Sequence, residues 1–269
     1  MKILVTGHKG FIGQRVYNAF NNFKDAHLYD DSTEIDGLEI NEPFPTKKYD
    51  CIYHFGGKTL LRESGKNPLE YFEQNVNFTV KLLEKARKDD SSFVFPTSGS
   101  AGKTSNPYSV SKYMAENWIK TYGEFYGLKG IIFRLYNVYG GHKGAVYNFL
   151  KAAYENKPIK VYNYGANIRD YIHIYDAVSL IVSKPTQYKM YDFELGTGKA
   201  TSTTELIKMI EEKTFHRFEI KYTRSRVKEA LYSVSPKKIL NCTDLKEGIE
   251  IVWTNVILKE MKKHVEKRN

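Results

Sequence analysis

Lys2-Ile3-Leu4-Val5-Thr6-Gly7-His8-Lys9-Gly10-Phe11-Ile12-Gly13 stands at the head of the chain. Lys2 to Thr6 read as a buried strand, and Phe11 to Asn21 as the helix behind it. Between them the glycines run Gly-x-x-Gly-x-x-Gly. Such a turn lets the backbone approach a pyrophosphate, and its last glycine lets the helix pack closely on the strand. The helix then aims its free amides at the phosphates. With 19 glycines in the chain the spacing alone says little. A strand before it and a helix after it make this a dinucleotide site, with Gly7, Gly10, Phe11, Ile12 and Gly13 forming the cradle.

The alternation continues outward. His27–Tyr29 predicts the second strand, Cys51–Phe55, Phe93–Phe95 and Gly130–Leu135 later ones. Pro68–Arg87 and Tyr108–Tyr126 predict long helices, the latter entered through Asn106-Pro107. Strands alternating with helices argue for an α/β fold with a doubly wound parallel sheet of Rossmann type. Farther on, helices are expected at Val146–Glu155 and Thr203–Lys213, the second with a Ser202/Glu205 capping box, and a turn at Asn163–Gly165. An acid at the end of the second strand should bind the ribose hydroxyls. Asp30, 17 positions after Gly13, is the candidate, with Asp31 beside it. No Lys or Arg follows until Lys47, so nothing nearby suits a 2′-phosphate, which favours NAD over NADP.

Bulk properties narrow the field. The 269 residues are 41% hydrophobic and 27% charged, ordinary for a globular protein. No apolar run is long enough to span a membrane, and Met1–Val5 is too short for a signal-peptide core. Cys51 and Cys242 suggest neither a disulfide framework nor a metal site, and a cytoplasmic location is expected. The net charge of +10 reads first as a solvated basic surface, then as attraction for an anionic substrate, and last as nucleic-acid binding. His54 lies inside an apolar strand and reads as structural. His142 and His173 lack metal-ligand spacing, so no metal is expected.

Tyr108-x-x-x-Lys112 places two side chains on one helix face. A free tyrosine has a pKa of about 10. A neighbouring ammonium and the positive nicotinamide ring lower it, and the phenolate can then take a proton from a sugar hydroxyl. Among 21 tyrosines the spacing recurs by chance, at Tyr139/Lys143 and Tyr147/Lys151. Tyr108 alone follows an apolar strand ending in Thr97-Ser98 and opens a long helix. A hydroxyl at that strand end lies in the ligand crevice of a parallel sheet, so Ser98 is placed to bond the same reacting oxygen.

These segments, together with Tyr53-His54-Phe55-Gly56-Gly57, Asn75-Val76-Asn77, Arg134-Leu135-Tyr136-Asn137-Val138-Tyr139-Gly140 and Arg169-Asp170-Tyr171-Ile172-His173, run in the order seen in the NAD-dependent epimerase/dehydratase family. The chain most resembles its UDP-galactose 4-epimerase-like nucleotide-sugar epimerases, especially through Lys58, Pro68-Leu69-Glu70-Tyr71 and Asn75-Val76-Asn77. The resemblance implies a Rossmann domain (1–140 with 168–190) and a smaller interleaved substrate lobe (141–167 with 191–269). It implies that Ser98 and Tyr108 act on the substrate hydroxyl and that Lys112 holds the nicotinamide ribose and tunes Tyr108. Glu39-Ile40 would flank the adenine, and Phe55, Gly56, Gly57, Asn75 and Tyr136 would complete the NAD site. Lys58 would lie near the diphosphate, Asn137, Arg169 and Arg224 or Arg226 would hold it, and Tyr162 would stack on the nucleobase.

Two segments depart from the family pattern. Nine residues separate Ser98 from Tyr108, a shortened loop, and the stretch from Asp30 to Asp50 is short as well. Gly99-Ser100 follows the strand-end serine, where sugar-nucleotide dehydratases carry an acid pair and decarboxylases a glutamate. The site that remains can move hydride and lacks the acid for elimination. A C4 epimerase of a nucleotide hexose is therefore expected. The alternatives are a nucleotide 4-keto-sugar reductase and a non-catalytic NAD- or RNA-binding member of the fold. A homodimer is expected through the two long helices, with Met114, Trp118, Ile119 and Tyr122 as its apolar stripe.

Overall fold

A computed structural model describes residues 1–25, 33–225, 229–260 and 262. In chain order the elements that matter here are β1 (Lys2–Thr6), α1 (Phe11–Asp25), β2 (Glu34–Leu38), β3 (Cys51–His54), α2 (Leu61–Ser64), α3 (Pro68–Phe72), α4 (Phe78–Asp89), β4 (Ser92–Ser98), α5 (Pro107–Tyr126), β5 (Gly130–Leu135), β6 (Asn137–Tyr139), α6 (Ala145–Tyr154), β7 (Ile159–Tyr162), β8 (Ile168–Arg169), β9 (Tyr171–His173), α7 (Ile174–Ser183), β10 (Tyr191–Leu195), β11 (Thr201–Ser202), α8 (Thr203–Thr214), β12 (Ile220–Thr223), β13 (Tyr232–Ser233) and α9 (Leu245–Val252).

They form two compact units. The first, Met1–Leu135 with Val178–Glu194, is built on a six-stranded sheet in the order β10-β5-β4-β3-β1-β2. From β2 across to β5 the neighbours are parallel. The order reverses beside β1, which puts the ligand crevice at its carboxyl end. Leu4, Ile52, Phe93, Phe95 and Ile132 from the sheet meet Leu82, Leu83, Ala115 and Ile119 from α4 and α5 in one core. Pairing of β4 with β3 ends at Tyr53↔Val94, whereas pairing with β5 runs on to Ser98↔Leu135. Pro96, which has no N–H to give, thus lies where β3 no longer bonds, and Thr97 and Ser98 emerge at the open end.

Two local features differ from the sequence reading. The strand beside β1 is Glu34–Leu38, in register Lys2↔Glu34 to Thr6↔Leu38. His27–Tyr29, Asp30 and Asp31 lie outside the described residues. β2 is the sheet's edge, and an edge strand need not be apolar on both faces; Lys47 binds its Glu34 and Asp36 side chains at 2.6 and 2.8 Å. The expected helix Pro68–Arg87 is interrupted by a π-turn at Glu73–Asn77 between α3 and α4. α5 begins at Pro107 with Asn106 as its cap, the side chain accepting from Ser109 N at 2.8 Å. Ser109 Oγ in turn donates to the Ser100 carbonyl, so the short loop after β4 is tied to the helix it feeds.

The second unit contains Tyr136–Ala177 and Leu195–Arg226 and runs on from Ala230. Its core joins Leu150 of α6, Val161 of β7, Leu206 and Ile210 of α8, and Ile249 of α9. β6 pairs with β9 in parallel, which carries the chain from Tyr136 to Ala177 into this unit, against an expected boundary at 140 and a return at 168–190. Buried Asp170 collects the Thr197 amide and hydroxyl at 2.9 and 2.6 Å and the Gly198 amide at 2.8 Å. The capping box at Ser202 and Glu205 is formed. No helix among the described residues is long and apolar enough to cross a membrane.

Candidate active site

The glycine turn is held to glycine by contact. Gly7 has φ +65°, and a Cβ there would come within 2.6 Å of Gly56 N. A Cβ on Gly13 would meet the Gly7 carbonyl oxygen. The first helical bond of α1 runs from Gln14 N to Gly10 O at 2.9 Å, leaving the amides of Phe11 to Gly13 ahead of the ladder and able to face an anion. This backbone fits a pyrophosphate. At the tip of β2, Glu39 accepts from Lys9 N at 3.0 Å and lies 3.1 Å from His8 Nδ1, so the acid beside the glycine turn is Glu39.

Next to the turn, a continuous set of hydrogen bonds crosses the sheet. Thr6 Oγ1 pairs with His54 Nδ1 at 2.7 Å, and His54 Nε2 with Thr79 Oγ1 at 2.9 Å. Thr79 donates to the Asn75 carbonyl at 2.7 Å, so its oxygen accepts from Nε2–H and the Nδ1 side accepts from Thr6. His54 is fully buried, and burial, helped by the Lys112 charge, pulls its pKa down to about 3. It is a neutral structural histidine. Asn75, set inward by the π-turn, accepts from Lys58 N at 2.7 Å and donates to Lys58 O at 3.0 Å and Ser111 Oγ at 2.9 Å. One amide thereby fixes the Gly56-Gly57-Lys58 loop and α5. The Lys58 ammonium itself pairs with Glu70 at 2.7 Å.

Ser98 ends β4, with its Oγ 2.9 Å from Ser100 Oγ, and it hydrogen-bonds Tyr108. Tyr108 lies in the first turn of α5, its ring meeting the Tyr71 ring edge-on at 6.5 Å between centroids. Burial holds its hydroxyl above the ordinary tyrosine value, and the Ser98 bond pulls it back. The protein by itself therefore does not produce the lowered phenol expected from the sequence. Lys112 is 7% exposed, with its Nζ 4.2 Å from the centre of the Phe95 ring. Burial pulls it down to about 7, and Glu116 pushes it back up.

The remaining expected residues belong to the second unit. β12 pairs with β7 in register Thr223↔Tyr162, which brings Arg224 beside the Tyr162–Asn163 corner, and Ser225 N donates to Asn163 Oδ1 at 3.2 Å. Arg169 Nη1 donates to Ile168 O at 2.9 Å. Tyr136 and Asn137 open the unit, and Arg226 lies outside the described residues. The rival tyrosine–lysine pairs have other employment. Tyr139 is 3% exposed and packed on Gly248, and Tyr147 donates to Glu260 at 2.8 Å. Among the described residues no cluster of three or more His, Cys, Asp or Glu could hold a metal.

The sequence matches the NAD dependent epimerase/dehydratase family over residues 3–189. The chain belongs to that family. NAD is the cofactor this membership assigns, and the cradle above fits it. Among its relatives, a putative UDP-glucose 4-epimerase of Methanocaldococcus jannaschii is 29% identical, the match covering 93% of this chain and 96% of that protein. A UDP-glucuronate 4-epimerase of Thermodesulfobacterium geofontis is 28% identical over 88% and 90%. Among solved structures, the UDP-glucuronic acid 4-epimerase of Bacillus cereus, with a fluorinated UDP-sugar and NAD, superposes at TM-score 0.82 with 19% identity, covering 97% of this chain and all (100%) of that one. The UDP-glucose 4-epimerase of Thermotoga maritima, with UDP-glucose, gives 0.75 and 22%, over 97% and 99%. The fold of this chain is theirs.

His54 makes a measurable prediction. Its folded pKa lies below the ordinary value of about 6.5, so the unfolded state takes up a proton that the folded state refuses. Its contribution is present above pH 6.5 and is lost as the pH falls, by about 2 kcal/mol between pH 7 and pH 5. Urea unfolding at the two pH values should show that loss in the wild type and a loss smaller by about that amount in His54→Gln. Equal losses would show that His54 takes up its proton in the folded state.

Proposed function

We propose that this protein is a nucleotide-sugar epimerase that inverts the hexose at C4. The observation that carries the reading is the Ser98–Tyr108–Lys112 group at the carboxyl end of β4 and the start of α5, in the same unit as the glycine turn. Relatives that match over most of the chain and are named as 4-epimerases support the same reading, while one that matches over 96% of it is named a CDP-paratose 2-epimerase. NAD, held by the Gly7–Gly13 turn and Glu39, would supply the hydride acceptor for oxidation at C4 and the hydride donor for reduction from the other face.

The chain's own work is binding and proton movement. Tyr108 takes the proton of the C4 hydroxyl and later gives it back, while Ser98 holds the same oxygen by a hydrogen bond. Because burial keeps Tyr108 above its ordinary value, the phenolate needs positive charge close by. Lys112 supplies one such charge. Ser98 and Ser100 offer hydroxyls where an eliminating enzyme needs a carboxylic acid, which favours epimerisation over dehydration. In the second unit Tyr162 would meet the nucleobase, and Asn137, Arg169 and Arg224 the diphosphate.

For the adenosine ribose, Glu39 takes the role first given to Asp30, because its carboxylate follows the strand paired with β1. Hydrogen bonds to a charged acceptor contribute about 1.5–3 kcal/mol each. NAD titrated calorimetrically into Glu39→Ala should bind about 10–100-fold more weakly, and Asp30→Ala should change little. The reverse order would return the role to Asp30.

A second copy of this chain is the expected partner of the outer face of α5. Val110, Tyr113, Met114, Trp118 and Phe125 are exposed there, and Leu69 and Phe72 of α3 are exposed as well. Ile119 and Tyr122, expected in that stripe, are instead buried. Light scattering at micromolar concentration should give twice the chain mass, and Trp118→Glu should give a monomer. A monomeric wild type defeats this assignment.

The central test offers UDP-, dTDP- and GDP-hexoses to the protein and analyses the products for the C4 epimer, with and without NADH. Stoichiometric NADH consumption would make it a reductase. On the active sugar, Tyr108→Phe should cut single-turnover rates about 10²–10⁴-fold with NAD still bound. Ser98→Ala should cost less, and Tyr147→Phe should leave the rate of the chemical step near normal. A Tyr108→Phe protein with near-normal turnover rules the mechanism out.

A further inference from the structure

The tyrosine–lysine face of α5 continues for one more turn. Glu116 follows Lys112 by four residues and is 2% exposed. A carboxylate buried this far is costly unless it is paired and hydrogen-bonded. Three side chains meet it: Arg134 of β5 donates Nη2 to Oε1 at 2.5 Å, Lys120 donates Nζ to the same oxygen at 2.8 Å, and Thr97 of β4 donates Oγ1 to Oε2 at 3.2 Å. Burial pushes the Glu116 carboxyl upward, and Lys120 and Arg134 outweigh it, so it stays ionised.

The cluster is joined to the reacting end of the sheet. Thr97 precedes Ser98, and Arg134 Nη1 donates to the Ser98 carbonyl at 3.1 Å. Farther from the site, Arg134 Nε lies 3.4 Å from Glu194 and Lys120 Nζ 2.8 Å from Asp192, both on β10. Each cation is thus shared between Glu116 and an outer acid. Among the described residues, neutral His54 of β3 lies within range of the Lys112 charge, Phe95 of β4 presents its ring to it, and Tyr108 stands one turn before it on α5. Glu116 is the group of opposite sign that acts on it, and it opposes the burial that pulls Lys112 down to about 7.

We propose that Glu116 is a positioning residue of this site: its carboxylate, fixed by Arg134, Lys120 and Thr97 one turn along α5 from Lys112, favours the charged form of that buried ammonium. The proposal rests on the epimerase reading for its catalytic meaning. Its physical content, the charge state of Lys112, can be measured without any substrate.

The test follows Lys112 by carbon-13 NMR in lysine-labelled protein, its signal assigned by absence from Lys112→Met, alongside the pH dependence of turnover. Glu116→Gln removes the negative charge, and Lys112 should titrate about one pH unit lower, with the alkaline limb of turnover moving by the same amount. Arg134→Gln removes the positive charge behind Glu116, so Lys112 should titrate higher. It also carries the test if Glu116→Gln does not fold. Glu116→Asp keeps the charge and should leave both readouts near wild type. A purely structural role predicts no shift, or shifts of one sign in both variants, and either result overturns the proposal. So does a moved Lys112 titration with an unmoved turnover limb. If the wild type acts on no nucleotide sugar, the epimerase reading falls while the NMR arm still decides the charge effect.

Discussion

The first unit depends on one hydrogen-bonded path through its interior: Thr6, His54, Thr79, Asn75, Ser111. It joins β1, β3, α4 and α5 through side chains, in addition to the β1–β3 ladder and the Tyr122–Glu84 bond between α5 and α4. Dispersion and hydrophobic burial reward closeness and tolerate small slides; a chain of directional bonds does not. Each member has its donors and acceptors matched, so the path fixes both the imidazole tautomer and the axial position of α5. The glycine turn at one end and Tyr108 at the other are set in register by groups that touch neither cofactor nor substrate.

The same helix carries the electrostatic design. Along one face of α5, Tyr108, Lys112 and Glu116 repeat every four residues, two titrating groups followed by a fixed carboxylate. Putting ionic groups in a low-dielectric interior is expensive, and the cost is offset here by Arg134 and Lys120, whose outer acids lie nearer solvent. Glu116, Arg134 and Lys120 are therefore paired before any ligand arrives and need no rearrangement when the phenol gives up its proton, which is the condition for electrostatic preorganisation.

What could be read from the sequence was what depends on neighbours in sequence. The β1–turn–α1 segment, the Asn106 cap and the Ser202 box follow local rules, and all three are formed. Tyr108 could be separated from Tyr139 and Tyr147 because a strand end and a helix start are local signals too. The placement of β2 was not legible. An edge strand carrying Glu34, Asp36 and Gly37 has no apolar alternation to display, while the more strand-like His27–Tyr29 lies nearer to β1 in sequence. Glu116 was silent for a different reason: its partners Thr97 and Arg134 are 19 and 18 residues away, on strands that only the folded sheet brings under the helix. Ile119 and Tyr122 looked like surface because helical spacing cannot tell which of two apolar faces points inward.

The π-turn at Glu73–Asn77 has a consequence for how this chain can change. A π-turn amounts to one residue more than an α-helix needs over the same rise. Deleting a residue there would restore regular winding and leave the turns on either side nearly in phase, because the π-turn covers about the angle and rise of an α-helix one residue shorter. Phe78, Leu82 and Leu83 would keep their places in the core, while Asn75 would lose the inward set that brings it to Lys58 and Ser111. In α3 or α4 themselves a deletion would turn one side by about 100° against the other. The π-turn is thus where this helix can change length without moving the core, and such a change falls on the site alone.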